Sequence, residues 1–331
     1  MEMQENYYIL QSGRLKREGN TLYFIKESLK KPLPIKNINS IYIFGEIDLN
    51  TKLLDFLSQN KIPLHFFNYY GFYFGSFMPK EYLPSGFLVI KQAQYYLNSL
   101  KRLEIAKEIV YGAGHNALKN LFYYKKHQKF VHDWIAKIKE ELEKIKNAQT
   151  REELMGIEGH IKNFYYQSFS VILKKEFKME KRTKRPPENM INCLLSFGNT
   201  LLYTVCLSEI YHTQLNPTIS FLHEPLERRY SLALDIAEVF KPVIVDKVIF
   251  RLVNTQMIQE KHFLKELNYC YLNEKGKRIF LKKFDERLHQ TIFYSKLKRH
   301  VSYQRLIRLE CYKLIKHLIG EEKYKSFKMY W

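Results

Sequence analysis

Glu158, His223, Asp235 and Glu238 are the residues of this sequence whose types and settings point to chemistry. Glu158 sits in Ile157-Glu158-Gly159, on a helix that the capping box Thr150-Arg151-Glu152-Glu153 starts at about Arg151. At about 100° per residue, Leu154, Ile157, Ile161, Tyr165, Ser168 and Ile172 fall on one stripe, and Glu158 lies inside it. A carboxylate on an inward face is costly unless it is held. Three kinds of partner meet that cost: a lysine or arginine, of which the chain has 54, hydrogen-bond donors, or a metal ion.

Asp235 and Glu238 stand three residues apart on one face of a short helix bracketed by Pro225 and Pro242, beside the apolar Leu232, Ile236 and Val239. His223, in Phe221-Leu222-His223-Glu224-Pro225, comes just before that helix, within reach of its acidic face. Taken singly, His223 reads as a hydrogen-bonded structural histidine and the acids as a solvated face. Taken together in a basic protein, Glu158, His223 and Glu238 read as ligands for Mg²⁺ or Mn²⁺, with coordination positions left for a phosphate oxygen and water. Between them runs Lys174 to Arg185, with seven basic residues and two acidic ones. Lys181, Arg182, Lys184 and Arg185 are the candidates there to grip phosphates, and a solvated loop is the competing account.

The elements that must position these groups differ along the chain. Residues 1–86 read as short strands at Tyr7–Leu10, Arg14–Arg17, Thr21–Ile25, Ser40–Phe44, Leu64–Phe67 and Phe72–Phe77, with one helix at Asn50–Gln59. This predicts a small β-sandwich-like domain, followed over residues 87–331 by a larger all-α domain, an α+β chain overall. A hairpin with its turn at Asn273–Gly276 is expected to interrupt the helices. Residues 1–86 hold 16 of the 50 Tyr, Phe and Trp residues, and the run from Phe66 to Phe77 suits a sandwich core or a subunit interface.

Charge is divided as unevenly. Lys and Arg number 54 against 34 Asp and Glu, a net charge of +20, yet residues 1–86 hold only ten of the basic and eight of the acidic groups. A polyanionic partner would meet residues 87–331, unless the excess is simply the lysine-rich surface of a thermophile. Cys193, Cys206, Cys270 and Cys311 lie 13, 64 and 41 residues apart, which excludes C-x-x-C metal or redox chemistry and leaves buried thiols as the expectation. No signal peptide is visible at the N-terminus, and the apolar Met190–Ile210 stretch is broken by polar residues, so a cytoplasmic protein with no membrane span is expected. Gly112-Ala113-Gly114-His115-Asn116-Ala117 mimics a dinucleotide fingerprint but sits in a helical pattern where that motif needs a strand. His223-Glu224-Pro225 puts proline where a zincin helix would run.

The same residues resemble the CRISPR adaptation integrase, the Cas-one family. The resemblance lies in Ile157-Glu158-Gly159 with Tyr165-Tyr166, in Arg185-Pro186-Pro187 leading to Asn192 through Gly198, and above all in Leu222 to Pro242. It extends to the run from Pro63 to Gly75 and to Ser85 through Asn98, and so spans most of the chain. The first half is similar to forms found with type I systems.

The resemblance implies a homodimer formed largely through the β domains. It also implies a divalent metal on Glu158, His223 and Glu238 with Asp235 nearby, and double-stranded DNA partners, the prespacer and the CRISPR repeat. A small companion protein of nuclease-like fold is implied as well. The implied reaction is attack of a prespacer 3′-hydroxyl on a phosphodiester of the array. Lys162-Asn163 stands where many members have Ala-Arg, which puts a DNA contact from that turn in doubt. Two rivals stay open: a structure-selective, metal-dependent repair nuclease, and a noncatalytic nucleic-acid scaffold.

Overall fold

The computed structural model describes residues 5–80, 83, 85–127, 130–184, 186–227, 229–266 and 269–330, and it divides into two compact units, Met1–Tyr82 and Leu83–Trp331. The first contains β1 (Glu5–Ile9), β2 (Gly13–Glu18), β3 (Thr21–Lys26), β4 (Leu29–Leu33), β5 (Ile38–Ile43), β6 (Ile47–Asp48), α1 (Thr51–Gln59), β7 (Leu64–Phe67) and β8 (Tyr73–Phe77). Strand β5 is buried at all six positions, as expected for a strand paired on both edges. It runs parallel to β1 and β7, and β8 closes the sheet antiparallel to β7. The second sheet has the order β4-β3-β2-β6.

Leu15 and Leu22 of that sheet, Ile38, Ile41 and Leu64 of the first, and Leu53 and Leu57 of α1 share one apolar core. The two sheets therefore pack as a sandwich with α1 set into it. Sequence patterning did not reveal β4, whose Pro32 confines it to a sheet edge, or the two-residue β6.

The second unit is mostly helical: α2 (Gly86–Leu97), α3 (Ser99–Lys126), α4 (His132–Lys144), α5 (Arg151–Gln167), α6 (Phe169–Ile172), α7 (Met190–Tyr211), α8 (Ser231–Phe240), α9 (Asp246–Asn254), α10 (Glu274–His289) and α11 (Tyr303–Leu318). It is not all-α, because it also carries two short antiparallel ladders, β9 (Phe263–Glu266) with β10 (Tyr269–Leu272), and β11 (Thr291–Tyr294) with β12 (Arg299–Ser302). The expected hairpin exists, but Asn273–Gly276 is not its turn. Asn273 caps α10 by accepting from the Gly276 N–H, and the paired strands are β9 and β10, which lie before it in the chain.

Helix α7 is long and apolar enough to cross a membrane, but 78% of its most apolar window is buried inside the unit. All four cysteines are buried and none forms a disulfide. Gly112 and Gly114 lie within α3, where a Cβ would come within 2.2 Å of Ser326 and 2.8 Å of Leu142. The apparent dinucleotide motif is thus a place of close helix packing.

Candidate metal centre

Helices α5 and α8 and the loop before α8 bring the four candidate residues together. Thr150 caps α5 by accepting from the Glu153 N–H, and the helix buries Leu154, Glu158, Ile161 and Tyr165 on one face. Glu158 is therefore as inward as its spacing predicts. Asp235, with no exposed surface, organises the preceding loop. Its Oδ2 accepts the backbone N–H groups of Phe221 at 2.6 Å and Leu222 at 2.9 Å, and its Oδ1 accepts that of His223 at 3.0 Å. The same Oδ1 lies 2.8 Å from His223 Nδ1. An imidazole held at Nδ1 by a carboxylate presents Nε2 as its free donor atom, the arrangement common among metal-binding histidines. That Nε2 lies 3.8 Å from Glu238 Oε1.

The loop is clamped from its other side. Arg102 donates to the Phe221 carbonyl at 2.9 Å and to Glu224 Oε1 at 3.0 Å, Arg151 reaches the same Glu224 oxygen at 3.0 Å, and Tyr96 donates to Glu224 Oε2 at 2.9 Å. Glu224 is thus a positioning residue for the His223 turn.

Two ammonium groups neutralise the carboxylates. Lys162 Nζ lies against Glu158 Oε1 and 2.9 Å from Glu238 Oε2, and Lys241 Nζ contacts Glu238 Oε1. Burial works against ionisation of Glu238, but Lys162, Lys241 and His223 together hold its pKa below the ordinary carboxylate range. Burial likewise works against the Lys162 ammonium, and Glu238 and Glu158 outweigh it. A cleft of about 30 Å³ is lined by Glu158, Lys162, Tyr166, Glu238, Lys241 and Asp246, enough for a water or an ion. Asp246, buried against Tyr165, has its pKa pushed up by that burial to about 7.

Among the described residues no three His, Cys, Asp or Glu side chains are grouped to hold a metal ion as they stand. The donor set nevertheless suits one: two carboxylates, an imidazole oriented through Nδ1, and a cationic group already lodged between the carboxylates as a stand-in for an ion.

Sequence reasoning missed how α8 ends. Lys241–Val245 forms a π-helical turn, where Pro242 lacks the N–H that would continue the α ladder. The carbonyls around it are taken by side chains. Asn116 donates to Val239 O at 3.0 Å, Asn120 to Pro242 O at 2.9 Å, and Arg287 to Val243 O at 2.7 Å. The legible signal was Asn116 and Asn120, spaced i, i+4 on the buried face of α3.

Among the loop cations, Lys181 and Lys184 are both exposed, with Lys184 near enough to Lys162 and Lys241 for their repulsion to add to partial desolvation in lowering its pKa. Arg182 turns inward instead: its guanidinium donates to Asn192 Oδ1 at 3.0 Å and Ser196 Oγ at 3.1 Å. It pins the loop to α7, and its groups are spent on the protein. Arg185 lies outside the described residues.

The sequence model of the CRISPR associated protein Cas1 family matches residues 7–286. A protein of Thermodesulfovibrio yellowstonii named CRISPR-associated endonuclease Cas1 3 is 51% identical over 327 residues, covering 98% of this chain and 99% of the relative. The solved structure of a CAS1 protein from Thermotoga maritima is 44% identical and superposes with a TM-score of 0.88, covering 98% of this chain and all of that one. A casposase bound to its integration product shares the fold at 21% identity, with a TM-score of 0.84 over 99% of this chain and 94% of its own.

Proposed function

The chain belongs to the Cas1 family of CRISPR-associated proteins, and on that premise we propose that it is a metal-dependent DNA integrase and endonuclease of CRISPR adaptation. The reaction is transesterification: a prespacer 3′-hydroxyl attacks a phosphodiester at the repeat boundary, one P–O bond forms as another breaks, and the proton of the attacking hydroxyl leaves to solvent or a nearby base. Water in place of the hydroxyl gives hydrolysis. The observation that carries this reading is the convergence of buried Glu158 and Glu238 with the Asp235-oriented His223 inside the basic unit.

Mg²⁺ or Mn²⁺ held by Glu158, Glu238 and His223 would polarise the scissile phosphate and stabilise charge on the attacking or leaving oxygen. Asp235 fixes the imidazole orientation and keeps Nε2 as the donor. Lys241 and Lys184 place positive charge beside the cleft, where a DNA phosphate would approach. Duplex DNA meets the basic second unit. The near-neutral first unit serves homodimerisation, a small nuclease-fold companion completes the adaptation complex, and the buried thiols suit the reducing cytoplasm.

The test is a strand-transfer assay with a 3′-hydroxyl duplex and a repeat-containing target in Mn²⁺. Joined products are expected, with loss of roughly 10²-fold or more in Glu158→Ala and Glu238→Ala at near-unchanged duplex affinity. Cleaved but never joined products would favour a structure-selective nuclease, and undiminished transfer by Glu158→Ala would refute the site.

A further inference from the structure

We propose that Lys162 is the resident cation of this centre, and that a divalent ion loads by exchange with its ammonium, resting on the reading of Glu158, Glu238 and His223 as ligands. Lys162 follows Glu158 by one helical turn, so its ammonium returns onto Glu158 Oε1 and simultaneously spans to Glu238 Oε2, 2.9 Å away on another helix. It is the group that joins the two carboxylates. Lys241, by contrast, pairs with Glu238 but not with Glu158 among the described residues.

A divalent ion held by the same carboxylates would compete with Lys162 for their oxygens, and the two cations would stand close together in a poorly solvated cleft. They cannot share it favourably. Lys162 is also the member with a way out. Its side chain is 34% exposed, against 10% for Glu158 and 4% for Glu238, so the ammonium can swing to water while its stem stays on the surface of α5. The metal-free protein thus keeps two buried carboxylates neutralised, and the metal must displace that cation to bind. The cost appears as weakened metal affinity.

The experiment titrates Mn²⁺ into full-length wild type, Lys162→Met, Lys181→Met and Glu158→Ala, reading free Mn²⁺ by electron paramagnetic resonance. Lys162→Met is expected to bind Mn²⁺ at least roughly ten-fold tighter, a fraction of the roughly 10³-fold that a like charge fixed at about 4 Å near a protein surface would cost, because the wild-type ammonium can swing to water. Lys181→Met removes the same charge from an exposed loop position and is expected to change affinity less than about two-fold. Without metal, Lys162→Met should melt at a lower temperature than wild type and recover most of the difference in Mn²⁺.

Should that variant fail to fold, the wild type carries the test, with Lys162→Arg needed only for assignment. With ¹³C-labelled lysine, the Lys162 Cε signal, assigned by its loss in Lys162→Arg, is expected to move on saturation with Mg²⁺. A signal that stays put while Mg²⁺ is bound overturns the exchange. Mn²⁺ binding that Glu158→Ala weakens but Lys162→Met does not tighten refutes the exchange and spares the metal site. Mn²⁺ binding indifferent to Glu158→Ala, or absent throughout, refutes both.

Discussion

The two units bury polar groups in opposite ways. In the first, the groups are neutral and satisfied by each other. His65 is fully buried with Nδ1 2.7 Å from Ser76 Oγ, and burial drives its pKa down to about 3, so its ring is uncharged at neutral pH. Asn39 donates to Asn6 Oδ1 at 3.3 Å in the same sheet. The second unit buries charge: Glu158, Glu238, Asp235, Lys162 and Lys241 lie within one constellation. Neutral networks specify a core at modest cost, whereas buried ion pairs are weak sources of stability. A fold that assembles five ionisable groups in one place points to chemistry, and a fold that neutralises its interior points to scaffolding.

The largest effect that separates the units is on DNA. Residues 83–331 hold 44 of the 54 basic side chains, so if six to ten of them neutralise phosphates, duplex affinity should fall roughly 10³- to 10⁵-fold between about 50 and 200 mM salt. Filter binding across that range measures it. Lys16→Ala or Lys31→Ala in the first unit should leave the salt slope unchanged, and a shallower slope in either would break the division of labour.

Next in size is Asp235→Ala. Asp235 does more than orient an imidazole, since three backbone N–H groups depend on it. Removing it should destabilise the protein by about 3 kcal/mol or more, because buried donors are left without acceptors. Asp235→Asn keeps the shape and one acceptor oxygen, and should show a smaller stability loss with roughly 10- to 100-fold weaker metal binding. Chemical denaturation and Mn²⁺ titration separate the two effects.

This structural weight of Asp235 marks where the sequence stopped being legible. Periodicity alone set Glu158 on the inward stripe of α5, and i, i+3 spacing paired Asp235 with Glu238, because both follow from local helix geometry. The short strands of the sandwich were readable from alternation and turn residues. What was not readable depends on distant segments. The Lys162 bridge to Glu238 and the Glu224 clamp on Arg102 and Arg151 join residues whose proximity only tertiary packing creates. The inward turn of Arg182 belongs with them, as a basic residue in a basic run gives no local sign that α7 will claim it. The π turn after α8 was half legible, since Pro242 announces a broken ladder but not the asparagines that complete it.

Two buried groups, His65 in the first unit and Asp246 in the second, should respond to acid in opposite directions. His65 has a folded pKa of about 3 against 6.5 in the unfolded chain, so the unfolded state binds the extra proton below about 6.5. Stability from this group is complete above that pH and drains as pH falls, by about 2 kcal/mol at pH 5. Asp246 behaves in reverse. Its carboxyl titrates at about 7 when folded against 3.8 unfolded, so the folded state holds the proton between those values. Its contribution is complete below about 3.8 and is lost as pH rises toward 7, about 2 kcal/mol of change between pH 5 and pH 7. Asp246→Asn should therefore flatten the loss of stability from pH 5 to pH 7, and His65→Asn should flatten the loss from pH 6.5 to pH 5. Calorimetry that finds the same pH profile in wild type and both variants would remove this contrast.

The smallest effect concerns the first unit's surface. Of the aromatic run from Phe66 to Phe77, Phe67 is buried, whereas Tyr69, Tyr70 and Phe74 are 65%, 42% and 70% exposed. The run thus divides between core and surface. Exposed aromatics on a unit of near-zero net charge suit a contact between two copies. If they form the dimer contact, one charged substitution there should weaken association by burying a carboxylate at an apolar interface, while the core set by Leu15, Ile41 and Leu53 is untouched. Phe74→Asp is expected to raise the dimer dissociation constant roughly ten-fold, equivalent to about 1.4 kcal/mol. Its thermal midpoint, measured at a concentration where both proteins are monomeric, should match the wild type. Sedimentation equilibrium decides the matter: an unchanged dimer in Phe74→Asp would move the interface off this surface and leave the first unit's exposed aromatics without a role.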